Sequence, residues 1–103
     1  MGTKLISSLL FVVVITALVA RSLYGADEIH EGKVLAVGTD TITVRDDRDG
    51  DDDMFVVNSQ TKITFNGKSA KLNQVSAGDR AKVTATQMGD KLIAKEIDAK
   101  SPQ

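Results

Sequence analysis

The chain has 103 residues, 42% of them hydrophobic and 26% charged, enough for one small domain and too few for a second core once its N-terminal apolar segment is set aside. It contains no cysteine, which excludes disulfides, thiolate metal sites and thiol nucleophiles. The formal net charge is −1. All fourteen acids lie beyond position 26, against eleven of the thirteen basic residues, so this part lacks the basic face that nucleic acid requires.

Residues 1–4 carry one positive charge at Lys4, residues 5–20 are apolar apart from Ser7, Ser8 and Thr16, and Arg21 follows. This is a secretory signal pattern. As a helix the apolar run would rise about 24 Å, short of the roughly 30 Å hydrocarbon layer, which favours a cleaved signal over a permanent anchor. Small residues at the final position and two before it mark cleavage after Ser22, in Ala20-Arg21-Ser22; cleavage after Ala26 is the alternative, although Tyr24 is bulky there, and if processing fails the segment tethers the domain to the membrane. We assign residues 1–26 to the signal, 27–31 to a linker, 32–98 to the domain and 99–103 to a disordered tail.

From Gly32 onward, short alternating runs follow at regular spacing: residues 33–37, 41–45, 54–57, 61–65, 80–88 and 91–97. Ile42 and Val44 oppose Thr41, Thr43 and Arg45, and Ala81, Val83 and Ala85 oppose Lys82, Thr84 and Thr86, so each strand has one face to bury. Turn residues separate the runs at Gly38, Asn58, Asn66-Gly67, Gly78-Asp79 and Gly89-Asp90. Between them Ala70, Leu72 and Val75 fit a single helical or 3₁₀ turn. Ile29, Val34, Val44, Phe55, Val83 and Ile97 are among the apolar residues available for one interior. The expected fold is all-β: a small OB-like barrel of five to six antiparallel strands with one short helical turn, preceded by an N-terminal signal helix.

The stretches Gly32-Lys33-Val34-Leu35-Ala36-Val37, Thr41-Ile42-Thr43-Val44 and Thr61-Lys62-Ile63, with Gly78-Asp79 before a long strand and Leu92-Ile93-Ala94-Lys95-Glu96-Ile97 in the last one, carry a resemblance over residues 32–97. The chain resembles a bacterial family of small exported β-barrel domains of unknown function. That resemblance implies the fold and an envelope setting, and brings no catalytic residue with it.

The chemically unusual stretch is residues 46–53, where Asp46, Asp47, Asp49, Asp51, Asp52 and Asp53 crowd the tip of a hairpin. Aligning Gly50 with the glycine of a calcium loop puts Arg45 at the first ligand position and Val56 at the twelfth, so an EF-hand is refused. What remains is a solvated turn or a weak calcium site built from Asp47, Asp49, Asp51, Asp52 and Asp53. His30, the only histidine, lies between Glu28 and Glu31 and reads as a lone exposed side chain without a second imidazole. Ser59, Ser69, Ser76 and Ser101 lack a rigid histidine base, which argues against hydrolysis.

Lys62, Lys68, Lys71, Arg80, Lys82, Lys91 and Lys95 read as a solvated basic flank, or as one pole of a dipole opposite the acidic tip. The sequence therefore points to a noncatalytic envelope binding or structural module, or an accessory subunit held at the membrane by a retained signal segment. Its partner would be an envelope protein or ligand, not nucleic acid. No cofactor is expected beyond weakly held calcium.

Overall fold

The structure, a computed structural model, describes residues 26–102; residues 1–25 of the signal segment, with the cleavage site after Ser22, and residue 103 of the tail lie outside these residues. Seven strands form: β1 (Asp27–Val37), β2 (Thr41–Asp46), β3 (Asp52–Val56), β4 (Lys62–Phe65), β5 (Lys68–Ser69), β6 (Arg80–Met88) and β7 (Lys91–Lys100), with a 3₁₀ turn at Leu72–Gln74. Asp27 through Glu31, expected as a linker, instead form the first half of β1 and pair with residues 82–86 of β6. At the other end β7 runs through Ala99 to Lys100, beyond the boundary drawn at residue 98, because Ala99 is fully buried opposite Ala81.

The sheet runs β3-β2-β1-β6-β7-β4-β5 and closes on itself through β3 and β7, giving an all-β barrel of the OB-like kind. Most neighbours are antiparallel, but β7 meets β3 (at Leu92 and Ile93) and β4 (from Glu96 to Ala99) in parallel. One long strand thus borders two short ones in succession. The connection between them crosses the gap at Ala94, where the Thr61 hydroxyl donates to the Ala94 carbonyl at 2.7 Å and satisfies a group the ladder leaves open.

The interior comprises Val34, Ile42, Val44, Phe55, Val75, Val83 and Ile97 with Ala81, Ala85, Ala94 and Ala99. The four alanines lie on the inner face of β6 and β7, which are paired neighbours, and leave room there for the larger side chains that reach in from β1, β2 and β3. Each of the fully buried large side chains contributes roughly 1.5–3 kcal/mol by leaving water. Ile29, counted among the apolar residues for the core, is 52% exposed, since β1 continues its alternation back through Gly32 and turns His30, not Ile29, inward.

Candidate metal centre

Three polar residues occupy inward positions where the alternation calls for apolar ones. On β1 the inward set is His30, Gly32 and Val34; on β2 it is Ile42, Val44 and Asp46; on β3, Asp53 and Phe55 share the inner face. The register places Gly32 opposite Asp46 and Val44 opposite Asp53, so the three polar positions converge at one end of the barrel. Gly32 makes the convergence possible. A Cβ there would stand 1.7 Å from the Arg45 carbonyl oxygen, so only glycine lets β2 approach β1 this closely.

His30 is 8% exposed, and its ring packs edge-on against Phe55 with centroids 5.2 Å apart. Its Nδ1 lies 3.1 Å from Asp46 Oδ2 and 3.5 Å from Asp53 Oδ2. On the far side of the ring Nε2 is buried and makes no hydrogen bond, with Glu28 Oε2 as its nearest carboxylate oxygen at 3.5 Å. A neutral imidazole aiming a lone pair at two carboxylates is repulsive. The gap between Nδ1 and those oxygens therefore favours something positive: a proton on Nδ1, or a cation.

Asp46 is buried and held by the turn that follows it. The Arg48 backbone N–H donates to its Oδ1 at 2.8 Å, and the Arg48 guanidinium stands at 3.5 Å from both oxygens. The amide and then the guanidinium hold the Asp46 carboxyl down to about 2, against the burial that would raise it. Asp53 goes the other way: burial pushes its carboxyl up, the neighbouring aspartates add to the rise, and only the charge on His30 opposes it. One carboxylate is thus an anion over nearly all pH, and the other has less to lose by meeting a cation.

The remaining tip aspartates are not drawn into this centre. Asp47 is paired with Arg80, and Asp52 with Arg45 at 3.0 Å. Asp49 accepts the Asp51 N–H at 2.9 Å in a local turn, where Gly50 takes a positive φ of 73°. Of the five aspartates expected to share a cation only Asp53 joins the cluster, whose other members are His30 and Asp46. His30, read as exposed and isolated, is instead its centre. The missed signal was phase: carrying the alternation of β1 back two residues from Gly32 puts His30 inside. Of the basic residues read as a flank, Arg80 lies beside the acidic tip, not opposite it, through its pair with Asp47.

The donor atoms of His30, Asp46 and Asp53 all lie within 4.8 Å of one another. Tetrahedral zinc, with bonds of about 2.0–2.2 Å to nitrogen and oxygen, requires ligand–ligand edges of about 3.3 Å; the two edges from Nδ1, 3.1 and 3.5 Å, bracket that value. Calcium asks for six to eight oxygens, more than this pocket offers. Soft monovalent ions prefer sulfur, and both described methionines, Met54 and Met88, are exposed on the outer surface.

No protein-family model matches the chain, and no curated protein matches it. Among solved structures the chain is similar to Ag(I)CusF, with 18% identity and a TM-score of 0.57 over 70% of this chain and 95% of that one. It is also similar to CusF-Ag(I) residues 10–88 from Escherichia coli, with 17% identity and a TM-score of 0.59, over 72% and 91% of the two chains. A point variant of Escherichia coli CusF with Cu(II) gives 18% identity and 0.54, over 69% and 88%. At these identities the likeness establishes the fold.

Proposed function

We propose that the protein is a noncatalytic, exported module of the bacterial envelope that holds a borderline divalent cation, of the Zn(II) or Cu(II) class, through His30 Nδ1, Asp46 Oδ2 and Asp53 Oδ2. The observation that carries the reading is the triangle of donors, with 3.1 and 3.5 Å edges at a buried imidazole. Glu28 stands behind the ring, 3.5 Å from Nε2: with the proton on Nε2, a small movement of this exposed side chain would let its carboxylate accept that proton's hydrogen bond, as outer carboxylates do around metal-bound histidines. Asp53, with its side chain 27% exposed, marks the side on which an ion and a water enter. The structural neighbours that carry Ag(I) or Cu(II) favour metal binding on this fold, while the nitrogen–oxygen donor set of this chain favours a harder ion.

Export rests on the signal pattern of residues 1–22, and an intact mass short of the first 22 to 26 residues verifies it. The metal reading is tested by calorimetric titration with Zn(II), Cu(II), Ca(II) and Ag(I). The expected result is one equivalent of Zn(II) or Cu(II) bound, weaker Ca(II) and Ag(I), and loss of the site in His30→Gln. Absence of Zn(II) and Cu(II) binding, or binding that His30→Gln leaves intact, overturns it.

A further inference from the structure

A second feature is independent of the metal centre. In the β1–β2 register Lys33 faces Arg45, in β1–β6 it faces Arg80, and in β6–β7 Arg80 faces Lys100. Arg45, Lys33, Arg80 and Lys100 therefore form one unbroken cross-strand row over four adjacent strands, all exposed on the outer face. Like charges directly opposite each other destabilise a sheet, and three successive pairs of them do so in a domain whose net charge is negative.

The two arginines are compensated, Arg45 by Asp52 and Arg80 by Asp47 through both of its terminal nitrogens. The two lysines are not: among the described residues, neither Lys33 nor Lys100 forms an ion pair. Elsewhere on the same sheet the pattern is the ordinary one. Lys82 stands between Glu31 and Asp98, and Lys95 meets Asp27 at 3.2 Å.

The row opens into a groove of about 620 Å³, lined by Lys33, Arg80 and Lys100 together with Asn66, Gly78, Ser101 and Pro102, and, among the described residues, by no carboxylate. Its rim is held in place. The Asn66 amide oxygen accepts the Ser101 N–H at 3.1 Å, and the Gly78 N–H donates to the Val34 carbonyl at 2.8 Å. Asp47 pins the Arg80 guanidinium between the two lysines, so the positive charge keeps a set spacing.

We propose that this groove binds a soluble chain of linked phosphate groups. Lys33 and Lys100 are two strand spacings apart, about 10 Å along the row, so a short oligophosphate gives each ammonium its own phosphate group, while a single phosphate has to draw both side chains together. Lysine ammonium groups suit phosphate oxygens as point charges without needing a planar partner. The groove has no aromatic side chain on which a base would stack, which sets nucleic acid apart from an oligophosphate.

The test is titration of the full chain with inorganic tripolyphosphate, with orthophosphate, and with vesicles of anionic phospholipid, at low and at physiological salt. We expect 1:1 tripolyphosphate binding that weakens with salt, orthophosphate at least tenfold weaker, and no comparable binding to vesicles. The double variant K33Q/K100Q should weaken tripolyphosphate binding at least tenfold with an unchanged or raised melting temperature. K62Q/K91Q, which removes the same two charges elsewhere, should bind like the wild type. In the unaltered protein, amide resonances of Gly78 and Ser101 should shift on titration. The proposal is overturned by absence of tripolyphosphate binding at millimolar probe, by equal loss in both double variants, by orthophosphate or vesicles binding as tightly, or by shifts confined to other residues.

Discussion

Replacing Asp53 with Asn separates what the cluster does for folding from what it does for a ligand, because the two effects have opposite signs. Asp53 is held above the usual carboxylate range, chiefly by burial. A folded-state pKa above the unfolded one lowers stability as pH rises above about 3.8, so at neutral pH the ionised side chain works against the fold. Without metal, Asp53→Asn should therefore melt no lower than the wild type. With metal the order reverses. If three donors give a dissociation constant near 1 μM, 100 μM free Zn(II) stabilises the wild type by about 2.7 kcal/mol. For a domain of this size that corresponds to roughly 10–20 °C in melting temperature.

Loss of one of three donors, at about a hundredfold in affinity, leaves the variant half saturated at the same zinc concentration, about 0.4 kcal/mol or roughly 2–3 °C. Differential scanning calorimetry of both proteins, with zinc and with a chelator, reads all four values. A wild-type shift below about 2 °C, or a variant that keeps the wild-type shift, refutes the reasoning. If the chelated variant melts well below the wild type, Asp53 is a structural partner of His30 and not a ligand waiting for an ion.

Arg48→Ala should tighten zinc severalfold in the same calorimeter, because it removes the guanidinium that stands 3.5 Å from both Asp46 oxygens while keeping the backbone N–H that orients them. Asp46, with its carboxyl held down to about 2, stabilises the fold fully above about pH 3.8 and loses that contribution as pH falls through the folded value. Acid titration followed by circular dichroism should show that limb between about pH 4 and 2, and Asp46→Asn should remove it. Gly32→Ala places a methyl 1.7 Å from the Arg45 carbonyl oxygen, a clash with backbone that should cost more than about 3 kcal/mol by urea denaturation or prevent folding outright. Phe55→Ala should cost about 3–5 kcal/mol in the same assay, since its side chain is fully buried at the barrel centre and also walls the His30 ring.

Six of the seven strands in chain order, the single 3₁₀ turn and the turn positions were legible in the amino-acid sequence because each depends on local periodicity or on residues such as Gly50 and Gly78 that reach positive φ, whereas the two-residue β5, inside the stretch read as a helical turn, is too short to show a period. Ile42, Val44, Phe55, Val83 and Ile97 were legible as core for the same reason. The candidate centre was not. An aspartate-rich tip attracts the eye as a unit, yet neighbours along a strand point to opposite faces, so Asp52 goes out to Arg45 while Asp53 goes in to His30. His30 stood outside every assigned strand, and its burial depends on six residues of β1 that carry no continuous apolar pattern and gain their order from pairing with β6.

What the sequence determined by itself was therefore the class of fold, one face of each strand, the absence of sulfur chemistry from cysteine, and an export pattern at the N-terminus. Only the tertiary structure decided which residues meet. Cross-strand register joined positions 30, 46 and 53 inside the barrel and positions 45, 33, 80 and 100 outside it. Register is a nonlocal quantity, set by the closure of β3 on β7 and by the close approach at Gly32, and a slip of one residue would turn His30 out and Ile29 in.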